Sequence, residues 1–187
     1  MASGKKNDIE LLAPAGNFES LMAAIQGGAD AVYFGVGKLN MRAGSSKNFT
    51  IEDLVEIKRI SDLHGISTYV TLNTVMYNED IDYVKEIIDA VRKVGINAII
   101  ASDFSVINYA RSIGINVHIS TQANVSNIES LKFFANFADV VVLARELSLE
   151  QVKDICQQVE EQNITGPGGE KIKVEAFAQG ALCMAVS

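Results

Sequence analysis

The residues of this chain best suited to chemistry are polar side chains that directly follow apolar runs. Arg145 and Glu146 come after the apolar run 140–144, and they combine a permanent cation with a carboxylate. Gln122 and Asn124 follow an earlier apolar run, and each amide can both donate and accept hydrogen bonds. We take Arg145, Glu146 and Gln122 as candidates for catalysis, without assigning a role to any of them.

Other polar residues stand in the same relation to further apolar runs. In parallel (β/α) barrels the chemistry sits at the C-terminal ends of the strands, so we predict that these residues share one rim. Amides, hydroxyls and arginines on such a rim suit a ligand with many hydrogen-bonding edges and one anionic group. The candidates for substrate binding are Arg42, Asn73, Asp103, Gln122, Asn124, Arg145 and Gln179.

Several polar residues also have a purely structural interpretation, which the sequence leaves open. Asn17 precedes a helical pattern and is expected to cap that helix rather than bind a ligand. Asp103 fits a cap and a ligand equally well. Arg145 and Glu146 fit an ion pair or a helix start as well as a site. His118 lies within an apolar run, where a buried core histidine is the expected reading.

The elements that must position these residues alternate strictly between strand and helix. This alternation predicts a parallel α/β fold, and runs that are apolar on both faces are typical of covered parallel strands. The first run lacks Gly-x-Gly-x-x-Gly after it, so we predict a TIM-type (β/α) barrel rather than a dinucleotide-binding sheet. The predicted strands are 9–13, 31–35, 67–73, 98–102, 117–121, 140–144 and 173–177, and the predicted helices are 17–27, 50–64, 78–94, 106–112, 128–136 and 149–162.

The predicted domain organisation is a short leader followed by one domain. We expect residues 1–7 to be a disordered leader and residues 8–187 to form an incomplete barrel of seven visible parallel strands, truncated before closure. Exposed strand edges of such a barrel would favour a homodimer.

Composition excludes several classes of protein. The chain has 187 residues and a net charge of −7, which argues against broad, non-specific nucleic-acid binding but leaves room for a local basic pocket. It lacks the ~20 consecutive apolar residues of a membrane span. Two cysteines and the lack of a signal peptide in the sequence predict a cytoplasmic protein with reduced thiols.

Common motifs of hydrolases and metal sites are absent from the sequence. It contains no His-Glu-x-x-His, Walker loop, Gly-x-Ser-x-Gly or Cys-x-x-Cys. Its two histidines, His64 and His118, are far apart in sequence, so we do not expect a histidine-based metal site or a Ser–His triad. Cys183 and His118 are a conceivable nucleophile and base, although their spacing does not single them out.

The segment Glu-Ala-Phe-Ala-Gln-Gly-Ala-Leu-Cys-Met-Ala-Val-Ser at 175–187 closely resembles the signature of the peptidase U32 family. The resemblance extends in order through the chain from about Asp8. Further agreement lies in the stretches 10–16, 28–33, 121–124 and 144–149.

The resemblance implies a role for Cys183 and two possible activities for the family. The family has carried a protease or collagenase label. Its better-understood members resemble factors that hydroxylate a tRNA wobble uridine, a ribosomal-RNA cytidine or a ubiquinone precursor without O₂. In those factors four cysteines hold an iron–sulfur cluster, and Cys183 corresponds to the first ligand. Gln179 departs from the family, where a histidine is common, and a mechanism that needs an imidazole there is in doubt.

From this resemblance we expect the full-length protein to hydroxylate an RNA base, such as a tRNA wobble uridine, with a 4Fe-4S cluster and without O₂. Its expected partner is tRNA or another RNA, with a polypeptide substrate as the alternative and no membrane partner. The remaining cluster ligands would lie beyond residue 187, so this chain alone is expected to be inactive and to hold no cluster. A peptidase and a non-catalytic scaffold are the competing hypotheses.

Overall fold

The computed structural model describes residues 9–40 and 48–178. Within them, strands and helices alternate along the chain. The strands are β1 (Leu12–Pro14), β2 (Ala31–Gly35), β3 (Ser67–Leu72), β4 (Ala98–Ala101), β5 (Asn116–Ile119), β6 (Val140–Val142) and β7 (Lys173–Glu175). The helices are α1 (Phe18–Gln26), α2 (Asp53–His64), α3 (Ile81–Val94), α4 (Phe104–Ser112), α5 (Ile128–Phe134) and α6 (Leu149–Glu161).

Seven parallel strands alternating with helices confirm the predicted TIM-type (β/α) fold. The chain divides into two compact units between Asn116 and Val117. In the first unit, β1 pairs with β2, β2 with β3 and β3 with β4, all in parallel. In the second unit, β6 pairs in parallel with β5 on one side and with β7 on the other. No helix within residues 9–40 and 48–178 combines the length and apolarity needed to cross a bilayer.

The core of the first unit forms where the strands turn small and aromatic side chains toward each other. Buried Ala31, Tyr69, Ala98 and Ile100 pack together, with Tyr33 against them. Helix α3 covers the sheet with an apolar stripe at helical spacing, which is why it folds there as an amphipathic helix. The buried residues of that stripe are Val84, Ile87, Ile88 and Val91.

In the second unit, a glycine-containing loop fixes β7 beside β6. The Asp139 carboxylate accepts a hydrogen bond from the Gly168 amide (2.8 Å), and the Lys173 amide donates to the Asp139 carbonyl (2.9 Å). A Cβ at Gly166 would run into Asp139, so this close approach requires glycine. The N-terminal ends of β6 and β7 are therefore held in a defined register.

Six of the seven predicted strands have a wrong boundary. Strands β3 and β4 end one residue earlier than predicted, β6 and β7 end two residues earlier, and the first and fifth strands also differ. The first strand was predicted at 9–13, but β1 begins at Leu12, because pairing with β2 starts there and Ile9 is 80% exposed. The fifth was predicted to extend to Thr121, but β5 ends at Ile119. The Ser120 side chain instead accepts a hydrogen bond from the Gln122 amide (3.3 Å) and begins a 3-10 turn over Thr121–Ala123.

The predicted helix cap at Asn17 is confirmed. The Asn17 side chain accepts a hydrogen bond from the Ser20 amide (2.8 Å), and the Ser20 hydroxyl accepts one from the Asn17 amide (3.0 Å). This reciprocal arrangement is a capping box. It satisfies amides at the start of α1 that would otherwise lack partners.

We predict that Asn17→Ala lowers the free energy of unfolding by about 1 kcal/mol, because the helix loses a side-chain acceptor at its N-terminus. Urea unfolding followed by circular dichroism measures the change. Asn17→Asp keeps an acceptor at this position and is the matched control, expected to stay within about 0.5 kcal/mol of the wild type. Equal loss in both variants would contradict the capping role.

Candidate functional site

The candidate site lies in the second unit, where β5, β6 and β7 end. The Leu143 amide donates to the Glu175 carbonyl (2.9 Å), which extends the β6–β7 pairing by one step. On the other side, the Ala144 amide donates to the Val125 carbonyl (2.9 Å), and Val125 forms a parallel bridge with Leu143. The backbone just before Arg145 is thus hydrogen-bonded on both sides.

Arg145 and Phe177 form the most specific contact at this rim. Each follows the last backbone hydrogen bond between β6 and β7 by two residues, so their side chains meet. The Arg145 guanidinium carbon lies over the Phe177 ring, 4.2 Å from its centroid. This is a cation–π contact, and both residues are exposed, Phe177 to 42%. The contact places a planar cation at the C-terminal ends of β6 and β7.

The predicted candidates Gln122 and Asn124 lie in and directly after the 3-10 turn that follows β5. Both are exposed. The Thr121 hydroxyl donates to the Leu143 carbonyl (3.2 Å), which ties this turn to the end of β6. The structure therefore brings Gln122 and Asn124 to the same rim as Arg145, at the ends of neighbouring strands.

Asn124 also has a backbone role, because it adopts the left-handed conformation (φ 51°, ψ 42°) and its amide donates to the Thr121 carbonyl (3.0 Å). We predict that Asn124→Gly preserves stability, since glycine takes this conformation without steric cost. Asn124→Ala should cost about 1 kcal/mol. Urea unfolding of the two variants gives the comparison. Equal stability of both variants would contradict the backbone role, and loss of substrate binding in a fully stable Asn124→Gly would assign a function to the amide.

Glu146 follows Arg145 in an exposed turn. The helix after it has its own cap. The Ser148 side chain accepts from the Gln151 amide (3.3 Å), and the Gln151 side chain accepts from the Ser148 amide (2.8 Å). Capping of α6 therefore does not require Glu146, whose carboxylate stays available at the rim.

Two further candidates lie in the first unit. Asn73 directly follows β3 and is half-buried. Asp103 caps α4, because its carboxylate accepts from the Ser105 amide (2.7 Å) and from the Ser105 hydroxyl (2.5 Å). The sequence left capping and ligand binding open for Asp103, and the geometry supplies the capping partners. Arg42, Gln179 and Cys183 lie outside the described residues.

The first unit also carries an open cleft of about 430 Å³ at the end of β2, lined on one side by Gly37 and Tyr83. Gly37 has a left-handed backbone (φ +59°), and an added Cβ would collide with the Tyr83 hydroxyl, so glycine permits this close approach. Lys38 and Glu86 bring opposite charges to the same cleft. Neither Asn73 nor Asp103 lines it.

His118 does not have the environment of a catalytic base. It is buried in β5, as the sequence predicted, opposite Val140 of β6. Burial is the largest cause that lowers the pKa of His118 to about 4; the nearby Lys173 charge acts in the same direction, and the Asp139 charge opposes the change. The imidazole is therefore neutral at physiological pH and enclosed by the protein.

The described residues do not form a metal centre. No three His, Cys, Asp or Glu side chains among residues 9–40 and 48–178 come together to hold an ion. Cys156, on α6, is partly buried. Burial is the larger cause that raises the pKa of its thiol, and the nearby Glu160 charge acts in the same direction. A protonated thiol of this kind is a poor metal ligand. A cluster would therefore depend on Cys183 and cysteines outside the described part of the chain.

Sequence reasoning missed Phe177 as part of the site. It assigned this residue only to the end of the seventh strand. The available signal was an aromatic side chain at the C-terminal end of a strand next to the one that carries Arg145. Because a (β/α) barrel places consecutive strands side by side, the fold prediction made this signal usable.

Sequence comparison finds relatives with two kinds of name. The model of peptidase family U32 matches residues 16–187. A protein from Porphyromonas gingivalis named "Collagenase" is 55% identical over 97% of this chain and 44% of its own length. A Bacillus subtilis protein named "tRNA hydroxylation protein P1" is 35% identical over 95% of this chain and 40% of its own length. The chain thus spans less than half the length of these two relatives.

Comparison with solved structures supports the fold. The structure of the U32 peptidase Mk0906 superposes with a TM-score of 0.68, covering 92% of this chain and 69% of that one. The two sequences are 14% identical, so the likeness concerns the fold alone.

Proposed function

Because the chain belongs to peptidase family U32, we propose that the full-length protein hydroxylates an RNA base, with the rim of the second unit forming part of the substrate site. The finer form of this proposal is O₂-independent hydroxylation of a wobble uridine in tRNA. It draws on the relative named as a tRNA hydroxylation protein.

The observation that carries the proposal is the contact between Arg145 and Phe177 at the ends of β6 and β7. Planar guanidinium and aromatic groups are the surfaces on which proteins receive unpaired bases. The exposed amides of Gln122 and Asn124 can meet the donor and acceptor edges of a base. Glu146 adds a carboxylate that accepts hydrogen bonds at the same rim.

In this proposal the residues of the chain bind and orient the substrate. Arg145 faces the base or a neighbouring phosphate, and Gln122 fixes the orientation of the base edge. A net charge of −7 does not provide a broad cationic surface, so we assign most phosphate contacts to parts of the full-length protein outside this chain.

The proposal includes a 4Fe-4S cluster in the full-length protein, with Cys183 as one thiolate ligand. When bound, such a cluster supplies one-electron redox chemistry. Partly buried Cys156, with its raised thiol pKa, does not suit this role. The resemblance of residues 175–187 to the family signature is what assigns this role to Cys183.

A peptidase is the second candidate, favoured by the name of the 55% identical relative. A cysteine peptidase needs a base beside the thiol, with a group that orients the base. His118 is buried, with a pKa of about 4, and His64 is exposed at the end of α2. The described residues therefore offer no histidine suited to this task, and we rank hydroxylation first.

Deletion of the gene tests the proposal. Nucleosides from tRNA and ribosomal RNA of the deletion strain are compared with wild type by mass spectrometry, and one hydroxylated pyrimidine is expected to disappear. Expression of the wild-type gene should restore it. An unchanged nucleoside profile in the deletion strain would reject the proposal.

The peptidase alternative is tested in parallel with purified full-length protein, incubated with casein and with collagen. We expect no cleavage. Cleavage that is lost in Cys183→Ser, together with intact RNA nucleosides in the deletion strain, would establish the alternative instead.

A further inference from the structure

Backbone hydrogen bonds hold the strand ends that carry Arg145 and Phe177. The Leu143 amide donates a hydrogen bond to the Glu175 carbonyl, and these residues lie two positions before Arg145 and Phe177. The Ala144 amide donates to the Val125 carbonyl. The capping box at Ser148 fixes the chain that follows Arg145. Sites held on hydrogen-bonded strand ends keep their geometry more accurately than sites on free loops.

The contact orients the Arg145 guanidinium. The guanidinium carbon lies over the Phe177 ring, 4.2 Å from its centroid, so the ring covers the cation on one side. Arg145 remains exposed, so the rest of the guanidinium can meet a second partner. A guanidinium combines a flat surface with five N–H donors in one plane, which an ammonium group cannot do.

From this arrangement we infer that the Arg145 guanidinium, backed by the Phe177 ring, is a stacking platform for an unpaired base of the RNA substrate. The inference rests on the proposed function. It specifies the conformation in which the substrate base is bound, which is unpaired or turned out of its helix. A base within a duplex has both faces covered by its neighbours, so only an unpaired base can stack on this platform. Gln122 lies in the turn after the neighbouring strand β5, and we assign its amide to the edge of that base.

The test measures RNA binding by the full-length protein with fluorescence anisotropy. The probes are a labelled RNA hairpin with a uridine-containing unpaired loop and a fully paired RNA duplex of the same length. Arg145→Lys keeps the charge and removes the plane. Phe177→Leu keeps apolar bulk and removes the ring. Phe133→Leu replaces another exposed phenylalanine, on α5 of the same unit, and is the matched control.

We expect Arg145→Lys and Phe177→Leu each to weaken hairpin binding about tenfold, in the range of roughly fivefold to a hundredfold that stacking of one base contributes. The dependence of binding on salt should not change, because neither variant loses a charge. Duplex binding should change less than about twofold, and Phe133→Leu should behave as wild type. The double variant should lose little more than the single ones, because the two side chains act as one unit.

Wild-type hairpin binding in Arg145→Lys would overturn the inference, and so would an equal loss for hairpin and duplex. Thermal unfolding of each variant checks folding. If Phe177→Leu is unstable, Phe177→Tyr keeps the ring and is expected to bind the hairpin within about twofold of wild type.

The outcome is separable from that of the proposed function. An unchanged nucleoside profile in the deletion strain, with the predicted hairpin losses, would reject hydroxylation and retain the platform. Loss of the hydroxylated base in the deletion strain, with normal hairpin binding by Arg145→Lys and Phe177→Leu, would retain hydroxylation and reject the platform.

Discussion

Replacing Cys183 with serine in the full-length protein is expected to abolish both iron binding and RNA hydroxylation. A serine hydroxyl is not a thiolate, and iron–sulfur clusters are held by thiolates. The variant protein, purified without oxygen, should contain no iron above background and lack the visible absorption of a cluster. A deletion strain that expresses it should show the hydroxylated nucleoside at the level of the deletion itself.

The chain supplies a matched control for this experiment in its second cysteine. Cys156 is a partly buried residue of α6, and burial raises the pKa of its thiol. Cys156→Ser should therefore retain wild-type iron content and nucleoside levels. Normal iron in Cys183→Ser would contradict the ligand assignment. Normal iron together with lost proteolysis would identify Cys183 as a nucleophile.

The strands of the fold were predictable because their apolar runs are bounded by turns and packed on both sides. The strand predicted at 31–35 coincides with β2, which pairs with β1 and β3. The first strand was placed too early, since Ile9 and Leu11 are apolar but 80% and 54% exposed. Hydrophobicity alone does not say which residues of a run find a partner strand.

The candidate site was predictable in part for the same reason. The rule that parallel strands present chemistry at their C-terminal ends located Gln122, Asn124 and Arg145 at one rim of the second unit. The pairing of Arg145 with Phe177 depends on the adjacency of β6 and β7, which are separated in sequence by α6. The predicted barrel implied that adjacency, but the sequence alone did not indicate which side chains beyond the two strand ends would meet.

Hydrogen bonds from side chains to the nearby backbone explain why Asp103 and Ser120 were ambiguous in the sequence. Asp103 and Ser120 both follow buried strands, so both resembled rim ligands or strand ends. In the structure each accepts a hydrogen bond from an amide two residues later. Short side chains with an oxygen acceptor satisfy the backbone at such turns, and this local demand competes with a ligand for the same atoms.

The second large effect expected is acid sensitivity caused by His118. Burial lowers the pKa of His118 to about 4 in the folded protein, against about 6.5 for an exposed imidazole. Well above pH 6.5 the imidazole is neutral in both states, so there it adds no pH dependence. Between pH 6.5 and 4 the unfolded chain binds a proton that the folded chain does not. The free energy of unfolding should therefore fall by up to roughly 3 kcal/mol across this range, and no further below it.

Urea unfolding at a series of pH values between 7 and 4 measures this effect, with His118→Gln as the test variant. Its absolute stability depends on packing as well, so the informative quantity is the change with pH. The acid loss attributed to His118 should disappear in His118→Gln, while carboxylates elsewhere contribute equally to both proteins. His64→Gln is the control, because His64 is exposed at the end of α2 and meets solvent in both states. An identical pH profile for wild type and His118→Gln would show that the folded protein accommodates a charged imidazole. Lys173, the nearby cation that acts with burial to disfavour that charge, and Asp139, which opposes it, would then be the next residues to replace.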